Sequence, residues 1–78
     1  MNDEDVYKIA EYIAYNREEI IAFIPQTYRG EQLLDKVIDV IAIDMPQYNR
    51  IDIECAFDDT RVMTVYDFYF TKERKELH

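Results

Sequence analysis

Histidine is all but missing from this chain: its one copy, His78, is the last of 78 residues. Cysteine is equally scarce, with Cys55 alone. One thiol closes no intramolecular disulfide, and one Cys with one His cannot assemble a zinc set. The same scarcity removes internal Ser–His–Asp and Cys–His nucleophile pairs. Gly30 is the only glycine, so no glycine-rich phosphate loop can form. The longest uninterrupted apolar run, Ile20-Ile21-Ala22-Phe23-Ile24, falls far short of the roughly 20 residues that span a bilayer. The opening segment Met1-Asn2-Asp3-Glu4-Asp5 is acidic, whereas a secretory signal begins basic and then turns apolar. The expectation is a cytoplasmic, non-enzymatic protein without cofactor or metal.

What the chain has in excess is negative charge. Seventeen Asp and Glu face nine Lys and Arg, for a formal net charge of −8. Yet 49% of the residues are hydrophobic, which separates it from a disordered acidic tail. A core wrapped in a strongly negative surface repels nucleic acid and anionic membrane and attracts basic protein surfaces. Direct nucleic-acid binding needs Lys or Arg clusters, and the only one here is the stretch with Lys72, Arg74 and Lys75. Frequent Ile, Tyr, Asp and Glu with no Trp suggests an AT-rich coding genome of bacterial, phage or archaeal-viral type.

The length fits one small domain, residues 1–78. Residues 3 to 24 read as an amphipathic helix whose apolar stripe is Val6, Ile9, Ala10, Ile13, Ile20, Ile21 and Ile24. Asn2 or Asp3 can cap its start and Pro25 marks its stop. After a loop containing Gly30, residues 31 to 45 form a second helix, ended by Pro46. Its wide apolar arc of Leu33, Leu34, Val37, Ile38, Val40, Ile41 and Met45 predicts a central element covered on more than one side.

The second half predicts a β-hairpin. Ile51, Ile53, Cys55 and Phe57 alternate with Asp52, Glu54, Ala56 and Asp58. Residues 62 to 70 are β-branched and aromatic enough for a long strand. A turn at residues 58 to 61 would set Phe57 opposite Val62, Ile53 opposite Tyr66 and Ile51 opposite Phe68. The fold class expected is therefore α+β, in the order ααββ. A lone hairpin is marginal in water and its exposed edge is a pairing hazard. That predicts a homodimer, joined through the hairpin edges or through a helix face across a two-fold axis. In this register Cys55 points inward and behaves as a small hydrophobe.

Two rows of carboxylates are the candidate binding features. Glu31, Asp35 and Asp39 recur at four-residue steps on the second helix, about 6 Å apart from the helical rise. That spacing is comparable to phosphates along a nucleic-acid strand, and only Lys36 lies near the row in sequence. On the first helix Glu4, Glu11 and Glu18 recur every seven residues opposite the core, flanked by Tyr7 and Tyr15. Carboxylates in place of phosphates, with tyrosines as anchors, would fit a basic protein cleft. The bland alternative is a solvated helix face. The partner-binding residues expected are thus Glu31, Asp35, Asp39, Glu11, Glu18, Tyr7 and Tyr15.

The functional expectation is stoichiometric inhibition of a nucleic-acid-handling protein through its basic surface. Anti-CRISPR, anti-restriction and nuclease-immunity proteins act in this physical way. The alternatives are a small structural or adaptor subunit assembling through the hairpin edge, and an antitoxin. Two charges fall on apolar faces: Arg17 on the first helix and Asp44 on the second. They would pair with each other, or Arg17 would extend to solvent. Asp58 and Asp59 in the turn, with Asp52, Glu54 and Asp67, could attract a hard cation, though no EF-hand spacing is present.

Overall fold

The computed structural model describes residues 1–71; the basic stretch with Lys72, Arg74 and Lys75 lies outside the described residues. Helix α1 spans Asp3–Ala22, with the Asn2 side chain accepting the Asp5 amide at 2.9 Å and three acids in the positively polarised first turn. The helix bends at Asn16 (φ −117°, ψ 18°), whose side-chain amide donates to the Tyr12 carbonyl at 3.0 Å. The bend falls in the gap of the apolar stripe between Ile13 and Ile20, and both of these are fully buried. After Phe23, Pro25 and Gly30 turn the chain. Gly30 takes the left-handed conformation (φ 58°) that glycine adopts without steric cost. Helix α2 follows over Gly30–Asp44, burying Leu33, Val37, Ile38, Val40 and Ile41.

The second half overturns the expected hairpin. Among the described residues there is no strand, so the fold is all-α rather than α+β. Residues Arg50–Ala56 form helix α3, and Thr60–Tyr66 form helix α4, which runs on into a π-helical turn over Asp67–Thr71. Local capping explains the outcome. Asn49 accepts the Asp52 amide at 2.8 Å while Asp52 accepts the Asn49 amide, a reciprocal capping box. Asp59 accepts the Arg61 amide at 2.9 Å and starts α4. Both signals outweigh the β-branched composition.

Helical spacing also buries the right residues. Ile53, Ala56 and Phe57 face inward from α3 and its end, and Val62, Tyr66 and Phe70 do so at four-residue steps from α4. The Tyr66 ring stacks on Phe70 and meets Phe57 edge-on, each at 5.5 Å between centroids. Ile51 and Phe68, which the strand register sets opposite each other on the inward face, are instead exposed. Cys55, read as an inward core residue, is exposed as well. The expected sheet-edge dimer has no edge to form on.

Helix α4 packs most closely on α1, in the same direction. Arg61 at its start reaches Asp3 and Tyr7, and the π turn puts Tyr69 under Arg17. Helix α3 runs back along α2, with Arg50 beside Asp39 and Asp35. Residues of all four helices share one core. No helix of the described residues is long and apolar enough to cross a membrane.

Candidate binding surface

The α2 acids do not form the unneutralised ladder that their spacing predicts. Asp39 is half-buried and accepts from Arg50 Nε at 2.7 Å. Asp35 lies 3.4 Å from Arg50 Nη2, and Nη1 of the same guanidinium bonds Glu54. The expectation that only Lys36 sits near the row is therefore corrected. The loop at residues 45–49 folds α3 back and brings Arg50 against two of the three acids. Glu31 remains exposed and makes no ion pair with another described residue.

Folding α3 onto α2 makes a groove that the sequence did not reveal. It encloses about 460 Å³. Its floor is Leu34, Ile38, Phe57 and Met63, and its rim carries Glu31, Asp35, Glu54 and Asp58. Period two over residues 50 to 58 offers Glu54 and Asp58 as cation-attracting acids but does not place them beside α2. With helical period, Arg50 and Glu54 share a side of α3, and Asp58 follows in the turn after it. The rim thus draws acids from α2 on one bank and from α3 and the turn after it on the other, across an apolar seam.

The α1 acids lie elsewhere. Glu11 and Glu18 are exposed on α1, and neither lines the groove. Tyr15 between them is 84% exposed. Tyr7 is 53% exposed, with one face covered by the Arg61 guanidinium 4.8 Å from the ring centre. The seven expected residues therefore divide three ways: Glu31 and Asp35 on the groove, Asp39 held by Arg50, and Glu11, Glu18, Tyr7 and Tyr15 on α1.

Several other polar groups serve the fold. The Tyr12 hydroxyl donates to Asp44, which accounts for that acid on an otherwise apolar arc, while Arg17 lies 5.1 Å above the Tyr69 ring. Burial and then the Asp44 bond raise the Tyr12 pKa. The Tyr48 hydroxyl donates to Asp5 at 2.5 Å, tying the α2–α3 loop to α1; this bond is the main reason its pKa is pushed up to about 12. Asp59 is held down to about 2, first by the Arg61 side chain and then by the Arg61 amide it caps. Asp52 and Asp59 are thus occupied as caps. No group of three or more Asp, Glu, Cys or His among the described residues could hold a metal ion.

A second concavity of about 230 Å³ lies between the end of α1 and the end of α2. Phe23 (69% exposed) and Ile43 (77% exposed) flank it, with Lys36 and Asp44 at its margin. No protein-family model, no curated protein and no solved structure matches this chain.

Proposed function

We propose that this protein works by stoichiometric binding, without catalysis, to the basic surface of a partner that handles nucleic acid. The observation that carries the reading is the imbalance of charge on a small, well-cored helical scaffold. Residues 1–71 hold 15 Asp and Glu against 6 Lys and Arg, a net charge of 6 − 15 = −9. The arginines Arg50 and Arg61 are already committed to ion pairs within the chain. The acids left over, Glu31 and Asp58 at the groove and Glu11 and Glu18 on α1, set the external field. Inhibition of the anti-CRISPR, anti-restriction or nuclease-immunity kind is the physical mode this supports.

The test is a pull-down from nuclease-treated lysate, washed in parallel at low and high salt and read by mass spectrometry. Exposed charges are screened beyond about 8 Å at physiological salt. Retention of a nucleic-acid-handling protein at low salt only, lost with Glu31→Lys and Asp35→Lys, supports the reading. Salt-indifferent recovery of the protein with itself alone supports a different one, a structural subunit that self-assembles. The exposed Phe23 and Ile43 favour that second reading, now through a helix face rather than a hairpin edge.

A further inference from the structure

We infer that the groove between α2 and the α3–α4 segment is the docking site for a short amphipathic helix bearing lysine or arginine along one side. This rests on the proposed acidic-surface reading and narrows it to one face and one kind of partner element. Two features at the groove act together. Leu34 and Met63 are partly buried, lying over the buried Ile38 and Phe57, and what they still expose is the apolar floor available for burial. Glu31 and Asp35 stand on one bank, Glu54 and Asp58 on the other. A helix lying along the seam would set its apolar stripe on the floor and its cations against both banks. From Glu31 to Ile38 the α2 bank runs about 10 Å, enough for about two helical turns of partner. The volume, about 460 Å³, lies within the range of specific binding clefts.

Charge selects the occupant. An acidic or neutral apolar helix would meet four carboxylates at the rim and one guanidinium, that of Arg50. An extended polycation would leave the apolar floor empty. Arg50 holds Asp35 and Glu54 at one end of the groove, which fixes their positions before binding and leaves Glu31 and Asp58 as the uncompensated pair. This is the helix-in-groove mode of recognition with added charge complementarity.

The probe is a synthetic amphipathic peptide of leucine and lysine at helical spacing, titrated into the isotopically labelled full chain and followed by NMR shift changes. The expected result is saturable shifts centred on Leu34, Phe57 and Met63. Glu31→Gln with Asp58→Asn should weaken the peptide by about three- to tenfold, the range of two exposed ion pairs. Leu34→Ala should weaken it with unchanged salt dependence, and all three substitutions sit at exposed or half-exposed positions and should keep the circular dichroism of the parent. A hexalysine peptide that binds as tightly as the amphipathic one overturns the inference, because the floor then contributes nothing. Binding abolished by Glu11→Gln with Glu18→Gln but indifferent to the groove pair also overturns it, while leaving the acidic-surface reading standing. Salt-independent binding, or none at millimolar peptide, removes the groove inference, while the acidic-surface reading stands or falls on the pull-down.

Discussion

Helices α3 and α4 are each seven residues long, too short to hold in water alone. Each carries one arginine that reaches a neighbouring helix, yet they are held in different ways. Helix α4 continues into the π turn and buries Val62, Tyr66 and Phe70 in one line, with Phe57 against the Tyr66 ring. Its arginine, Arg61, bonds mainly to the cap residue Asp59 and adds Asp3 of α1. Helix α3 buries only Ile53 and Ala56 within its length. It leans on the Asn49–Asp52 capping box and on Arg50, which gathers carboxylates from α2 and from α3 itself. Helix α4 rests more on apolar packing, and α3 more on its cap and on Arg50. The wall of the groove that α3 supplies is therefore the part of the fold most open to tuning by salt and substitution.

The largest expected effect tests the apolar side of that contrast. Phe70 is fully buried, and Phe→Ala in a core costs about 3–5 kcal/mol. A single core in a domain of this size supplies about as much in total. Phe70→Ala should abolish the cooperative urea transition followed by circular dichroism. The milder Ile53→Val on α3 should cost about 0.5–1.5 kcal/mol and leave a measurable transition. A Phe70→Ala chain that unfolds cooperatively near the parent midpoint would mean that the π turn is not part of the core.

That a π turn carries a core residue at all shows where the sequence was readable and where it was not. The first two helices follow from apolar periodicity and from Pro25, Gly30 and Pro46, and the observed ends lie within two residues of the expected ones. The second half defeats the same method because Val62-Met63-Thr64-Val65-Tyr66 is rich in β-branched and aromatic residues. Short apolar runs fit either period. The deciding signals were polar: Asn49 three residues before Asp52, and Asp59 before Thr60. The groove shared this fate, since Glu54 faces it only if residues 50 to 56 are helical, and Asp58 only through the turn that follows. Arg50 meeting Asp39 needed the loop that turns α3 onto α2, which no periodicity reports. The exposure of Glu11, Glu18 and Tyr15 was legible because it depends on one helix alone.

The caps give the next effect. Asn49→Ala removes the side-chain acceptor of the capping box and should cost about 1 kcal/mol, seen as a lower urea midpoint with unchanged slope. The same substitution should broaden the NMR signals of Ile53 and Glu54 more than those of Val62, because α4 has its own cap. Equal broadening in both helices would show that they form and melt as one unit.

Acid titration separates the two caps further. The Asp59 pKa in the folded protein is lowered to about 2, against 3.8 for the free side chain. A depressed carboxylate stabilises the fold above its unfolded pKa, and that contribution fades as pH falls from about 4 towards 2. Asp59→Asn keeps a side-chain oxygen for the cap but removes the charge. The melting temperature of the parent should then fall more steeply over this window than that of the variant. Parallel curves would show that Arg61 gains nothing from the Asp59 charge.

The smallest effect is the most informative about the groove. Arg50 is 39% exposed in its side chain, so solvent screening keeps its ion pairs weak one by one. Removing it changes more than those pairs. In Arg50→Met, Asp35, Asp39 and Glu54 would face one another without the cation that now lies among them. Like charges this close repel, and salt relieves repulsion as it weakens attraction. The variant should melt slightly below the parent at low salt, by less than Asn49→Ala, and recover as salt is added. Arg61→Met leaves Asp59 with its backbone contact, sits over the better-packed helix and should respond less to salt. Should the two variants respond alike, charge is not what holds α3 in place, and the rim of the groove is set by Ile53 and Ala56 instead.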